Sequence, residues 1–210
     1  MVAAAPHALY ASVPQLWPQS TIVCLGTGPS LTAADVDYCR DRAHVIAIKD
    51  AVRLAPWADV LYSCGSDRGR WYQRNADLAR AFPGRKYTLD PAAIHVGAEI
   101  LRVAGFTGLC ASPDGLCTGK NSGYQAINLS VHLGASRIVL LGYDMEADAK
   151  DRDHFFGQHW HGARVPFLAF RELFATLLEP LRARGVQVIN ASRQTALTCF
   201  DRMSLVEALA

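Results

Sequence analysis

Three of the chain's seven histidines fall in the stretch "DRDHFFGQHWHG" (151–162), with Asp151 and Asp153 beside them. Imidazole titrates near neutral pH, and a neighbouring carboxylate orients it and raises its proton affinity. One positioned imidazole among His154, His159 and His161 would suffice as general base toward a hydroxyl that attacks an activated phosphate or anomeric carbon. The same residues also permit a metal reading, in which His159-x-His161 and an aspartate ligate Zn²⁺ or Mn²⁺. That spacing is weak by itself, and no metal site is assigned. In a purely packing reading, Phe155, Phe156 and Trp160 anchor a polar loop. Asp144, in "LLGYDM", is a further carboxylate that could orient a hydroxyl, hold a metal or cap a turn.

A second set of residues suits phosphate. In "TIVCLGTGPSL" (21–31), an apolar run is followed by Gly26-Thr27-Gly28-Pro29-Ser30 and then by a helix signal. Two glycines let a main chain approach a ligand, and amides at a strand-to-helix turn can meet an anion. The turn lacks the third glycine of G-x-G-x-x-G, where Leu31 stands, and the G-K-[ST] of a P-loop. Ser30 or Thr32 is expected to cap the helix, with Thr32-x-x-Asp35 resembling a capping box. Lys49-Asp50 and Ser66-Asp67 follow the next two apolar runs, and Lys120-Asn121-Ser122-Gly123 precedes a strongly periodic helix. Each of these supplies small, polar or cationic groups where a nucleotide would need them. The competing readings are a tight turn, a solvated loop and a helix cap formed by Asn121 and Ser122.

The elements that must position these residues follow from patterning. Short β-branched runs alternate with segments of helical period, the signature of a mostly parallel sheet covered by helices on both faces. Strands are expected at 21–26, 44–50, 58–64, 85–90, 136–144 and 186–192, with another at "GFTGLCA" (105–111) and a turn at "SPDG". Helices are expected at 31–42, 70–82, 122–135 (ending on Gly134) and 166–185, the last kinked at Pro180. On the fourth segment Ala126, Ile127, Leu129, Val131 and Leu133 read as core, and Gln125 and Asn128 as the polar side. In a doubly wound sheet, ligands bind beyond the carboxyl ends of the strands, where all the polar segments named above fall.

At 210 residues, with 50% apolar and 19% charged, the chain supports one well-buried domain. Residues 1–19 read as an N-terminal arm, residues 20–210 as the domain, and about 145–165 as a short lid. The formal net charge of +2 is scattered, so no nucleic-acid partner is expected. Six cysteines without a C-x-x-C pair suit free thiols and a cytoplasmic location. No apolar window is long enough to span a membrane.

"GTGPSL" after a first strand, "SGYQAINLSVHLGASRIVLLGYDM", and "HFFGQH" followed by a long helix and "VQVINAS" resemble one superfamily in order and spacing over roughly residues 20–200. It comprises the MptE-like proteins (6-hydroxymethylpterin diphosphokinases and relatives, some phage-encoded), the flagellin-modifying motility-associated-factor glycosyltransferases and the sialyltransferases of glycosyltransferase family 42. The resemblance implies an α/β, Rossmann-like fold and transfer from a nucleotide-activated donor. In the sialyltransferases the donor is CMP-sialic acid and a lid histidine is the base without a metal.

Carried over, Gly26, Thr27, Gly28, Pro29 and Ser30 match the first motif and Asn121, Ser122 and Gly123 the second. His159 matches the "G-H" segment and is the first choice of base, His154 the second. Relatives often carry an Asn where Lys49 stands. Tyr143, His161 and Arg164 are expected on the substrate or lid side, and Asp144 in the catalytic set. The leading expectation is a glycosyltransferase with a CMP-type sugar donor and a small-molecule or glycan acceptor, with no certain cofactor. The alternatives are Mg²⁺-dependent, pyrophosphokinase-like transfer from ATP to a small alcohol such as a pterin, and a non-catalytic nucleotide-binding protein. A neighbouring copy completing the short-lidded site would make the protein a homo-oligomer.

Overall fold

A computed structural model describes residues 10–64, 70–157 and 165–210. The strands are β1 (Ser20–Leu25), β2 (His44–Ile48), β3 (Val60–Ser63), β4 (Arg85–Thr88), β5 (Glu99–Ile100), β6 (Arg102–Gly105), β7 (Gly115–Cys117), β8 (Ala135–Leu141), β9 (Gln187–Asn190) and β10 (Asp201–Arg202). The helices are α1 (Ala33–Cys39), α2 (Trp71–Arg74), α3 (Ala76–Ala81), α4 (Ser122–Leu133), α5 (Phe167–Ala175), α6 (Leu178–Ala183) and α7 (Leu205–Ala208). One parallel sheet runs in the order β10-β9-β8-β1-β2-β3-β4-β5, and β6 and β7 pair separately.

Because side chains alternate across a strand, each central strand feeds two cores. Ile22, Cys24, Ile46, Ile48, Ile138 and Leu140 pack with α4 and with Phe174 and Leu181 of α5 and α6. Val23, Leu25, Val45, Ala47, Val139 and Leu141 pack on the other face with Val36, Trp71, Tyr72, Ala79 and Ala208. Strands buried on both faces read as unbroken apolar runs, which is why β1 and β8 stand out in the sequence. Succession runs outward from β1 through β2 to β5, and then returns to β8 on the other side of β1. The switch point therefore lies between β1 and β8.

Several expected elements differ. The helix expected over 70–82 breaks at Asn75 (φ −117°, ψ 35°), whose Nδ2 donates to Trp71 O (3.0 Å) and whose Oδ1 accepts from Arg53 Nη2 (2.7 Å). The helix at 166–185 divides after Ala175, one turn before Pro180. The missing Pro180 N–H leaves the Thr176 carbonyl without its helical donor. Thr176 Oγ1 donates back to Leu173 O (2.7 Å) at the same break. Over 31–42 the helix is only Ala33–Cys39, capped by Thr32, whose Oγ1 accepts from Asp35 N at 3.2 Å.

No strand forms over 105–111. β6 ends at Gly105, and Cys110 N and Cys117 N both donate to Asn128 Oδ1 (3.1 and 3.3 Å). Asn128 and Gln125 are thus buried (1% and 3% exposed), the latter accepting from Tyr62 OH at 2.7 Å. Both were expected on the polar side; they instead satisfy backbone groups at Cys110, at the end of β7 and at Thr118. β10 and α7 had no counterpart in the sequence reading, although Ser204 and Glu207 form a full capping box that an S-x-x-E pattern announces. Residues 10–19 form neither helix nor strand, yet Val13 is buried and Trp17 stacks on His44 with ring centroids 4.1 Å apart. Among the described residues no helix is long and apolar enough to cross a membrane.

Candidate functional site

The turn after β1 and the turn after β8 are built as one unit. Gly26 N donates to Leu141 O and Gly28 N to Gly142 O, both at 2.8 Å. A Cβ on Gly26 would stand 2.6 Å from Gly142 O, and one on Gly28 2.2 Å from Asp144 Oδ1. Only glycine permits this approach. Asp144 is 2% exposed and clamps the turn, with Ser30 N donating to Oδ2 at 2.6 Å and Ser30 Oγ to Oδ1 at 2.9 Å. Burial pushes the Asp144 carboxyl up from its ordinary 3.8 to about 6, against the pull of the two Ser30 bonds; the Glu146 charge adds to the rise.

α4 supplies the third wall. Asn121 caps it by accepting from Tyr124 N at 2.8 Å, and Ser122 Oγ donates to Cys64 Sγ at 3.0 Å at the end of β3. Twelve residues long, α4 carries a helix dipole whose positive end faces the glycine turn across the cleft. The α4 start is tied to the β8 turn by Tyr143, whose hydroxyl donates to Gly123 O at 3.1 Å. A Cβ at Gly123 would meet the Tyr143 ring at 2.8 Å. Tyr143, expected on the substrate side, lines the cleft while 1% exposed, and its ring separates two walls.

The last two walls come from the end of β2 and the segment after β8. Lys49 follows β2 in the left-handed region (φ 51°) and lines the cleft. The 145–157 segment docks back through Phe155 N, which donates to Thr27 O at 2.7 Å. This brings His154 into the cleft, with Phe156 N donating to its Nδ1 at 3.3 Å. That bond selects the neutral tautomer carrying its proton on Nε2. Burial lowers the proton affinity of His154, and the Lys49 charge lowers it further, while Asp50 and Asp153 act the other way. Glu146 and Asp153 add carboxylates, and Val165, Phe167 and Phe170 an apolar side.

The structure thus brings Gly26, Thr27, Gly28, Lys49, Asn121, Ser122, Gly123, Tyr143, Asp144 and His154 to one cleft of about 160 Å³. It leaves others outside the lining. Pro29 and Ser30 are not part of it, Ser30 being bonded to Asp144, and Asp50 is paired with Arg53 at 3.1 Å. Lys120 holds its ammonium 5.1 Å over the Phe106 ring. The turn does not open directly into α1, which begins at Ala33 after its own cap. Ser66, Asp67, His159, His161 and Arg164 lie outside the described residues.

Sequence reasoning missed Glu146, Phe167 and Phe170 in the lining, and Ser192 and Thr195 behind it. Ser192 Oγ accepts from Tyr143 N (2.8 Å) and Thr195 Oγ1 donates to Tyr143 O (2.7 Å). The i, i+3 pair Phe167/Phe170 was a readable signal for one helix face; Ser192 and Thr195 had none. Two larger grooves lie elsewhere, about 890 Å³ over α1 and α7 and about 510 Å³ at the amino ends of β1 and β2. Among the described residues no three His, Cys, Asp or Glu side chains converge as a metal donor set.

No protein-family model and no curated protein matches the chain. Among solved structures it is similar to a MAf glycosyltransferase from Magnetospirillum magneticum AMB-1, with a TM-score of 0.69 at 16% sequence identity. The match covers 94% of this chain and 36% of that one, so the chain spans about a third of that protein's length. At this identity the likeness is one of fold: a parallel α/β sheet with helices on both faces.

Proposed function

We propose that the protein is a nucleotide-dependent transferase, and that it transfers a sugar from a nucleotide-activated, CMP-type donor to a hydroxyl acceptor. One observation carries the reading: four segments far apart in sequence meet at the β1/β8 switch point as a glycine turn, a helix N-terminus, a lysine and a histidine. In this reading the glycine turn and the start of α4 hold the nucleotide. The acceptor hydroxyl attacks the anomeric carbon with inversion and passes its proton to an imidazole. His159 is the first choice of base. His154, as the Nε2–H tautomer, suits donation to a donor or acceptor oxygen. The cleft is smaller than the ~300–1,000 Å³ usual for ligand pockets, so part of the donor or acceptor extends beyond it.

Glu146 and Asp153 favour a second reading, Mg²⁺-dependent diphosphate transfer from ATP to a small alcohol. Carboxylates are the usual Mg²⁺ ligands. With Asp144 committed to Ser30, however, the described residues do not compose a donor set.

A thermal-shift screen of CMP, UMP, ADP, ATP and the corresponding nucleotide sugars, with and without Mg²⁺, tests both readings, since a ligand that binds the folded state raises its stability. A shift of several degrees with CMP-compounds independent of Mg²⁺ is expected. A shift with ATP only when Mg²⁺ is present would replace the first reading by the second. His154→Ala and His159→Ala are expected to abolish transfer while leaving the nucleotide shift; retained transfer in both would remove the imidazole chemistry.

A further inference from the structure

Several of the described cations are spoken for, and Lys49 is the lysine or arginine that lines the cleft among the described residues. Arg53, Arg85, Arg102, Arg152 and Arg193 each pair with a carboxylate at 2.6–3.1 Å, and Lys120 rests on an aromatic ring. Lys49 belongs to no ion pair among the described residues, although it is half-buried and lines the candidate cleft. Its backbone is also unusual, at φ 51°, a region that L-residues avoid and that glycine and asparagine enter most easily.

The same lining holds the Gly26–Gly28 turn, the start of α4 and His154, with Glu146 and Asp153 as carboxylates besides Asp144, which Ser30 holds. Amides and an ammonium suit an anion, whereas the two carboxylates suit hydroxyls.

We infer that Lys49 is the residue that takes the donor phosphate and holds the negative charge that grows on it as the nucleotide leaves. The inference rests on the nucleotide-donor reading above and goes beyond it by assigning the phosphate to one side chain. In the step, a bond forms between the acceptor oxygen and the anomeric carbon while the bond from that carbon to the phosphate oxygen breaks. The acceptor proton goes to the imidazole. The electron pair of the broken bond stays on the phosphate, which changes from a monoanion to a dianion beside the ammonium.

The free nucleoside 5′-monophosphate reproduces the departed dianion, so binding alone tests the assignment. Affinities of cytidine, uridine and adenosine, each against its 5′-monophosphate, are measured by calorimetry for the wild type, Lys49→Asn and Lys49→Arg. Asn accepts the left-handed backbone, so Lys49→Asn is expected to melt at or above the wild-type temperature, which a thermal melt verifies before binding is read. A charged hydrogen bond of this kind corresponds to about 10–100-fold in affinity. The wild type is expected to prefer the monophosphate by that factor. In Lys49→Asn the preference falls to within about threefold with nucleoside affinity unchanged, and Lys49→Arg keeps most of it. A preference that survives in Lys49→Asn, or is absent from the wild type while nucleosides bind, overturns the assignment alone. Failure of every nucleoside and nucleotide to bind the wild type overturns the donor reading as well.

Discussion

Two buried carboxylates, one in the groove over α1 and one in the cleft, are treated in opposite ways. Asp35 is 8% exposed, and burial alone would raise its pKa, but Arg193 at 2.6 and 2.9 Å and the Thr32 hydroxyl outweigh this and hold it below the ordinary range. Asp144 is 2% exposed and belongs to no ion pair among the described residues; the Ser30 amide and hydroxyl bond it, and burial carries it to about 6. The first is an ion pair that fastens the β9 loop to α1. The second is a carboxylate held where its charge is disfavoured, in the same cleft lining as a lysine without a carboxylate partner among the described residues. Perturbed titration beside a cleft is the pattern of functional sites, whereas satisfied pairing is the pattern of structure. The groove over α1 and α7 is larger, yet the Asp35 carboxylate in it is already paired with Arg193.

Three substitutions break or sharpen this contrast. Gly28→Ala puts a methyl group 2.2 Å from Asp144 Oδ1 and 2.8 Å from Gly142 O, both rigidly held. It is expected to destabilise the fold by about 3 kcal/mol in urea unfolding and to abolish any nucleotide-induced thermal shift. Unchanged stability would mean that the two turns are not locked together.

Asp144→Asn is expected to act in the other direction at pH 8. Asn keeps both Ser30 contacts, with Oδ1 accepting from Ser30 N and Nδ2 donating to Ser30 Oγ after the hydroxyl rotates. Because the folded pKa, about 6, lies above the ordinary 3.8, the native state favours the protonated form. The burden of the charge is absent below pH ~4, grows between pH 4 and 6 and is complete above pH 6. Wild-type stability therefore falls through that window, and the variant's does not. The gain above pH 6 is on the order of 2–3 kcal/mol at ~1.4 kcal/mol per unit. Paired unfolding curves at pH 4 and 8 read it, and a gain that is equal at both would refute the charge account.

Asp35→Asn gives the smallest effect, a loss of about 1 kcal/mol at pH 7, since the Arg193 side chain is 59% exposed and its pairing is screened. This contribution is present above the ordinary carboxylate pKa and is lost as pH falls through the lowered folded value. The loss should shrink in 1 M salt, while that of Gly28→Ala should not.

Much of this molecule was legible beforehand. Unbroken apolar runs marked β1 and β8 because both of their faces are buried, and Gly134 ended α4 at φ 107°. The glycine turn and the Asn121-Ser122-Gly123 segment were recognisable because small residues and caps have local reasons to sit where they do. The parts misread depended on distant partners. A helix over 70–82 was the correct local reading, and Arg53 helps to end its first piece at Asn75. Gln125 and Asn128 look like surface residues until Tyr62, Cys110 and Cys117 need their amides.

Local physical chemistry, carried by residue type and period, thus determined the central strands, the α4 helix and the parallel α/β class. Tertiary structure alone decided that Asp144 clamps Ser30, that Tyr143 is a spacer under Gly123, and that Lys49 stands without a carboxylate partner among the described residues beside His154. Each of these depends on which distant groups share a desolvated space. A side chain's charge, tautomer and role are set by that shared environment, which no single stretch of the chain contains.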